Sequence, residues 1–311
     1  MSVTLGEDFK PFFIKNKWFQ TVAPIYLNKT DIKYFRKRIF LSDDDFLDLD
    51  FCQPEPEQHK LVVLVHGFEG NSNSTYIKKT ANYLKKDGLD ILAVNLRGCS
   101  GEDNRKVYAY HSGKTQDLQE IIEQLPQSYT QIILVGFSLG ANLVLKYMSD
   151  YKSEIKVTTA IAISAPFDLE ASAQKIISQT FIDNRFLKTL KEKIKKKKLK
   201  FEKELNYLNV ADLKNIIDVD QHYTAPLHGF ISASAYYSYA KCEQYLPNIN
   251  KKTLIINSLD DPLLVHSKKA ELYCKEHEFI TLILSKHGGH VGFLDQKLEP
   301  YYLKKILNFI N

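Results

Sequence analysis

Ser138 lies in the pentapeptide Gly136-Phe137-Ser138-Leu139-Gly140, between the apolar run Gln131 to Val135 and the helix-like run Ala141 to Met148. A serine with glycine on both sides, at a strand-to-helix turn, has the form of a nucleophile elbow. The tight turn leaves room near the serine only for residues without a side chain, and the helix N-terminus aims unpaired N–H groups at the place where an oxyanion would form. A serine hydroxyl is a weak nucleophile until a base takes its proton, so the chemistry needs a histidine and an acid as well. Both follow along the chain. Asp260-Asp261-Pro262 comes after the apolar run Lys252 to Asn257, and His287 and His290 come after Phe279 to Leu284. Asp261, directly before Pro262, is the expected acid, with Asp260 shaping the turn. His290 is the expected base, because Gly288-Gly289 before it and Gly292-Phe293 after it let the loop carry an imidazole over the serine; His287 is then a loop neighbour. The second half of an oxyanion hole is expected in His66-Gly67-Phe68-Glu69-Gly70, directly after Leu61 to Val65, with the backbone N–H groups of Phe68 and Leu139 as donors. His66, at a strand end beneath that loop, is expected to be structural.

These residues need a rigid frame, and the pattern supplies one. From Leu61 onward strand and helix signals alternate: strand to Val65, helix near Thr75 to Lys86, strand Asp90 to Asn95, helix Thr115 to Leu125, strand to Val135, helix, strand Val157 to Ile163. Such alternation specifies parallel strands joined by crossovers. Thr21 to Phe51 reads instead as short strands broken at Asn28-Lys29-Thr30-Asp31 and Ser42-Asp43-Asp44, the antiparallel edge of a mixed sheet. His111 reads as a loop residue ahead of a helix capped by Ser112, and Arg97 and Cys99 as structural residues of a turn.

The order serine, aspartate, histidine is that of the α/β-hydrolases, and of neither chymotrypsin nor subtilisin. The chain further resembles the YheT-like, or embryogenesis-associated, branch of that superfamily. The resemblance rests on HGFEGNSNSTY at His66 to Tyr76, NLRGCSGEDNR at Asn95 to Arg105, YHSGKTQDL at Tyr110 to Leu118 and SAPFDLEA at Ser164 to Ala171. It extends to the Asp43 to Asp50 run and to Trp18-Phe19-Gln20-Thr21, where the family usually carries histidine in place of Trp18. It implies an α/β-hydrolase fold with a mostly parallel, mixed eight-stranded sheet flanked by helices. It also implies a serine hydrolase acting on carboxylic esters, of carboxylesterase or acylglycerol-lipase type. Transfer of the acyl group to another acceptor by the same triad, and a non-catalytic binding module on the same scaffold, are the alternatives. The reading requires neither cofactor nor metal.

The 311 residues suffice for one large domain with an insertion. Four widely spaced cysteines suggest neither a disulfide framework nor a zinc site, and no run approaches the ~18 apolar residues of a membrane span, so a cytoplasmic enzyme is expected. The alternation stops between Ser164 and Lys251, which predicts a helical cap at about Phe167 to Leu246 over the active site. Phe181, Phe186, Phe230 and Tyr236 are candidate liners of an apolar inner face, which would favour esters of medium to long acyl chains. The stretch Lys188 to Lys203 holds nine lysines and two glutamates, a net of +7 against +5 for the whole chain. It is expected to be a basic amphipathic lid helix with a solvated charged face, contact with an anionic membrane surface being the alternative. No base-reading motif accompanies the lysines, which argues against nucleic acid as a partner.

Overall fold

The computed structural model describes residues 3–5, 9–27, 29–52 and 59–311. Among them, nine strands form one sheet: β1 (Val3–Leu5), β2 (Phe35–Phe40), β3 (Phe46–Cys52), β4 (Lys60–Val65), β5 (Asp90–Asn95), β6 (Gln131–Phe137), β7 (Val157–Ile163), β8 (Lys252–Ser258) and β9 (Ile280–Ser285). Their order across the sheet is β1-β9-β8-β7-β6-β4-β5-β3-β2. The pairings β2–β3 and β3–β5 are antiparallel and the others parallel, so the mixed edge lies where the short-strand region was expected. The three-residue β1, parallel to β9, adds a ninth strand to the eight expected.

The parallel strands are buried on both faces, as crossover connections require. In β4, Leu61, Val63 and Val65 join the core on one side and Val62 and Leu64 the core on the other. Helices α3 (Thr115–Glu123), α4 (Leu139–Asp150) and α10 (Lys268–Glu276) contribute to the first core, and α2 (Thr75–Lys85) and α11 (Tyr301–Ile310) to the second. Between β7 and β8 the chain is helical: α5 (Leu169–Ile177), α6 (Thr180–Lys200), α7 (Ile216–Val219), α8 (Ala225–Leu227) and α9 (Ala233–Ala240). These helices bury two apolar clusters of their own.

One expectation fails near the start. Thr21 to Leu27 belongs to a helix, α1 (Lys17–Leu27), and not to a strand, while Asn28 of the expected turn lies outside the described residues. The Asn16 side chain accepts from the N–H groups of Trp18 and Phe19, satisfying two of the donors that a helix start leaves open. Pro24 sits inside this helix and cannot donate to the carbonyl four residues back, that of Gln20. Gly292 uses the freed space, since a Cβ on it would lie 1.7 Å from Gln20 O. The Gln20 amide completes the join: its Nε2 donates to Leu294 O at 3.3 Å and its Oε1 accepts from Leu294 N–H at 2.7 Å. The N-terminal helix therefore braces the loop that carries His290.

Arg97 has almost no exposed surface. It donates to both oxygens of Asp117 at 2.7 and 2.8 Å and to Asp43 and Asp45 at 2.9 Å each. A buried guanidinium needs such partners to offset its lost hydration. The arginine of the RGCSG turn thereby ties the acidic run before β3 to α3. Ser112 does not cap α3, whose N-cap is Lys114; its N–H donates to the Tyr236 hydroxyl instead.

Candidate active site

Ser138 stands between the last residue of β6 and the first of α4, with φ at +51°. That left-handed conformation is costly for a residue with a side chain and persists only where the surroundings impose it. The imposition is steric. A Cβ at Gly136 would lie 2.2 Å from Gly140 O, and one at Gly140 would lie 2.3 Å from Val65 O. The glycines thus allow α4 to approach its own turn and the end of β4, and the serine projects from the resulting elbow.

The structure brings Ser138, His290 and Asp261 together. Ser138 Oγ is 2.9 Å from His290 Nε2, and His290 Nδ1 is 2.8 Å from Asp261 Oδ2. Asp261 is buried, and its other oxygen accepts from the N–H groups of Leu263 and Leu264 at 2.8 and 3.1 Å. With one oxygen held by the backbone, the second is aimed at the imidazole. From the cap, Lys175 on α5 donates to the backbone carbonyls of Asp261 and Leu264 at 2.8 and 2.6 Å. The His290 loop is fixed by Thr21 Oγ1, which accepts His290 N–H at 2.9 Å, and by Ser164 Oγ, which accepts Val291 N–H at 3.0 Å.

Asp260 and His287 lie apart from this chain of bonds. Asp260 Oδ1 accepts from Gly289 N–H at 2.9 Å and from Ser258 Oγ at 3.0 Å, and His287 Nδ1 is 3.5 Å from Asp260 Oδ2. Both shape the loop beneath His290. Among the described residues no cluster of three or more His, Cys, Asp or Glu side chains is spaced to hold a metal ion.

Opposite the elbow, the loop after β4 presents Phe68. Its neighbours' N–H groups are taken, Gly67 by the Tyr76 hydroxyl at 2.9 Å and Glu69 by the Tyr110 hydroxyl at 2.8 Å. The Phe68 N–H stands between them, and the Leu139 N–H, first in α4, has no partner inside its helix. His66 is fully buried: its Nδ1–H donates to Gly67 O at 2.7 Å and its Nε2 accepts Leu96 N–H at 3.1 Å. Burial pushes its pKa down to about 4. With both nitrogens occupied, His66 holds the loop and offers no lone pair to Ser138.

A cavity of about 60 Å³ runs from Phe68 and Leu139 up into the cap, bounded by Leu190, Ile194, Leu227 and Tyr236 together with Glu69, Lys193, His111 and His228. Burial drives His111 well below the ordinary histidine range and His228 down to about 4. Both rings are neutral at pH 7. The expected liners divide accordingly. Tyr236 borders the cavity and donates to Ser112 Oγ at 2.8 Å, and Phe186 meets Phe68 edge to face at 5.1 Å. Phe230 packs within the cap against Tyr236 and Tyr239. Phe181 is not a liner, for it is 78% exposed in the first turn of α6. The basic stretch Lys188 to Lys203 is also not one uniform solvated face. Lys197 is buried and donates to the carbonyls of Asn104 and Lys106, and Lys198 donates to Leu208 O. Asn142 on α4, which no motif singled out, ties the elbow helix to the cap: it donates to Ser112 O and Ala240 O and accepts Cys242 N–H.

Residues 60–297 match the family model described as alpha/beta hydrolase fold. A provisionally named esterase of Escherichia coli K12, YheT, is 33% identical over 292 residues, covering 90% of this chain and 84% of that protein. Monoacylglycerol lipase of Saccharomyces cerevisiae is 23% identical, covering 98% of this chain and 69% of the lipase. Among solved structures, the Pyrococcus furiosus esterase Pf2001 is similar at a TM-score of 0.61 and 16% identity, covering 90% of each chain, a likeness of fold.

Proposed function

The chain belongs to the alpha/beta hydrolase fold family, in its YheT-like branch, and from that premise we propose that it is a carboxylic ester hydrolase working through an acyl-enzyme on Ser138. The observation that carries the reading is the bond chain Ser138 Oγ to His290 Nε2 and His290 Nδ1 to Asp261 Oδ2, on a serine held at positive φ. His290 takes the hydroxyl proton as Oγ attacks the ester carbonyl, and Asp261 stabilises the imidazolium that results. The developing oxyanion meets the N–H groups of Phe68 and Leu139, which need no reorganisation because the loop and the helix already hold them. Collapse expels the alcohol, which receives the proton from His290. Water then repeats the sequence on the acyl-enzyme.

The relatives named above include an esterase and a monoacylglycerol lipase, and the cavity supports the short-acyl end of that range. The cavity is bounded by Phe68 and Leu139, the two residues read as oxyanion donors, and its 60 Å³, where a single water needs at least roughly 10–15 Å³, favours a short acyl group. A long chain would require the cap to open. The test combines two measurements. A fluorophosphonate probe should label Ser138, and Ser138→Ala should lose at least ~10³-fold of activity. Across a series of p-nitrophenyl esters, kcat/KM should then peak at a short acyl chain. An adduct on Ser164 or Ser258 would refute the nucleophile, and a maximum at long-chain esters would refute the short pocket.

A further inference from the structure

The cap reaches the proposed oxyanion loop through an ion pair, its carboxylate buried and its ammonium side chain 35% exposed, that the proposed mechanism does not use. Glu69 follows Phe68 directly and has φ at +55°, an unfavourable conformation for a glutamate. Its side chain is 7% exposed, and Lys193 Nζ from α6 lies 2.8 Å from its Oε2. Tyr110 holds the rest of the residue, since its hydroxyl accepts Glu69 N–H and donates to Oε1 at 3.0 Å. Seven residues before Lys193, and so on the same face of α6, Phe186 packs edge to face on Phe68. One helix face of the cap thus grips two consecutive residues of the loop, one by its ring and one by its charge. The strained Glu69 is where the chain turns back after Phe68, so whatever fixes Glu69 fixes the direction of the Phe68 N–H.

We propose that Lys193 is a positioning residue for ester hydrolysis: by pairing with Glu69 it holds the Phe68 N–H in register with the Leu139 N–H, so that oxyanion stabilisation depends on the cap being seated. This rests on the ester-hydrolase reading given above. Lys193 touches no reacting atom, and its effect passes through the loop. Charge matters because a carboxylate left unpaired at this site would turn toward water and carry the loop with it.

The experiment uses the full chain and a soluble p-nitrophenyl ester. In Lys193→Met, kcat should fall about 10- to 100-fold with KM within about threefold, the signature of an interaction felt in the transition state. Affinity for an aryl trifluoromethyl ketone, whose hemiketal oxyanion occupies the hole, should fall by the same factor as kcat/KM. Lys193→Arg should restore kcat to within about threefold. Glu69→Gln combined with Lys193→Met should be more active than Lys193→Met alone, because no buried charge is stranded. If Lys193→Met does not fold by near-UV circular dichroism, the arginine variant and the double variant carry the same comparison against wild type. Wild-type kcat and ketone affinity in folded Lys193→Met, with Ser138→Ala inactive, would overturn the proposal alone. Full activity in Ser138→Ala would overturn the hydrolase reading, and this proposal with it.

Discussion

Adding one methyl group at Gly140 should disable the site without touching any residue of the bond chain. The new Cβ would lie 2.3 Å from Val65 O, 2.5 Å from His66 O and 2.8 Å from Val65 C. All three are backbone atoms at the end of β4, where no side chain can rotate away. Reaching the 3.4 Å of ordinary contact requires α4 and the strand end to separate by about 1 Å. That separation acts directly on the proposed oxyanion donors, because Leu139 begins α4 and Phe68 lies just beyond β4. A misplacement of about 1 Å costs on the order of 10²-fold in rate, and overpacking costs about 1–3 kcal/mol of stability. Gly140→Ala should therefore lower kcat about 10²-fold on a p-nitrophenyl ester with KM little changed, and lower Tm by several degrees. The assays are steady-state kinetics and thermal unfolding on the same preparation. A kcat within threefold of wild type would refute the argument that this contact sets the spacing of the two N–H groups.

Asp261→Asn should lose about 10³- to 10⁴-fold in kcat with KM nearly unchanged, by analogy with amide replacement of a triad acid. Asp260→Asn should stay within about tenfold, and the reverse ranking in measured kcat would exchange the two assignments. A pH series tests the buried histidines. His66, His111 and His228 are all held below the ordinary histidine value, His66 and His228 at about 4, so the unfolded chain takes up protons first as pH falls below about 6.5. Their contribution is complete above 6.5 and drains away toward pH 4. Asp220, raised to about 6 by burial, and Asp90, Asp117 and Asp183, also raised by burial, act with the opposite sign and lose their contributions as pH rises, while Asp43, Asp45, Asp48 and Asp50, held low, lose theirs as pH falls and so act with the histidines. Thermal melts should therefore show Tm falling between pH 7 and pH 4.5, and a flat profile would contradict these directions.

The residues of the candidate site were legible because each sits where regular structure stops. Ser138, Asp261 and Phe68 follow long apolar strands, and the glycines beside Ser138 and His290 announce turns that side chains could not make. What the sequence hid is long-range. Thr21-Val22-Ala23-Pro24 carries β-branched residues and a proline and reads as a strand, yet Asn16 and the His290 loop stabilise it as a helix. Lys193 and Lys197 look like any others in a lysine run, and only the acceptors packed against α6 distinguish them from Lys188. Phe181 erred in the other direction: an aromatic in a cap is not thereby a liner, since its direction depends on where the helix starts.

Gln20 and Leu294 exchange two hydrogen bonds across 274 residues of chain. At about 5–20 residues per second of synthesis, that separation is on the order of 15–55 s during which α1 has emerged and its partner loop has not. The amide of Gln20 and the carbonyl that Pro24 leaves free have no loop to join in that interval. The nascent chain therefore displays its serine elbow long before His290 is anchored, and the lock on the His290 loop is made with a segment translated 274 residues earlier. Ribosome-bound chains should be inert toward esters until the His290 loop has emerged and docked on α1.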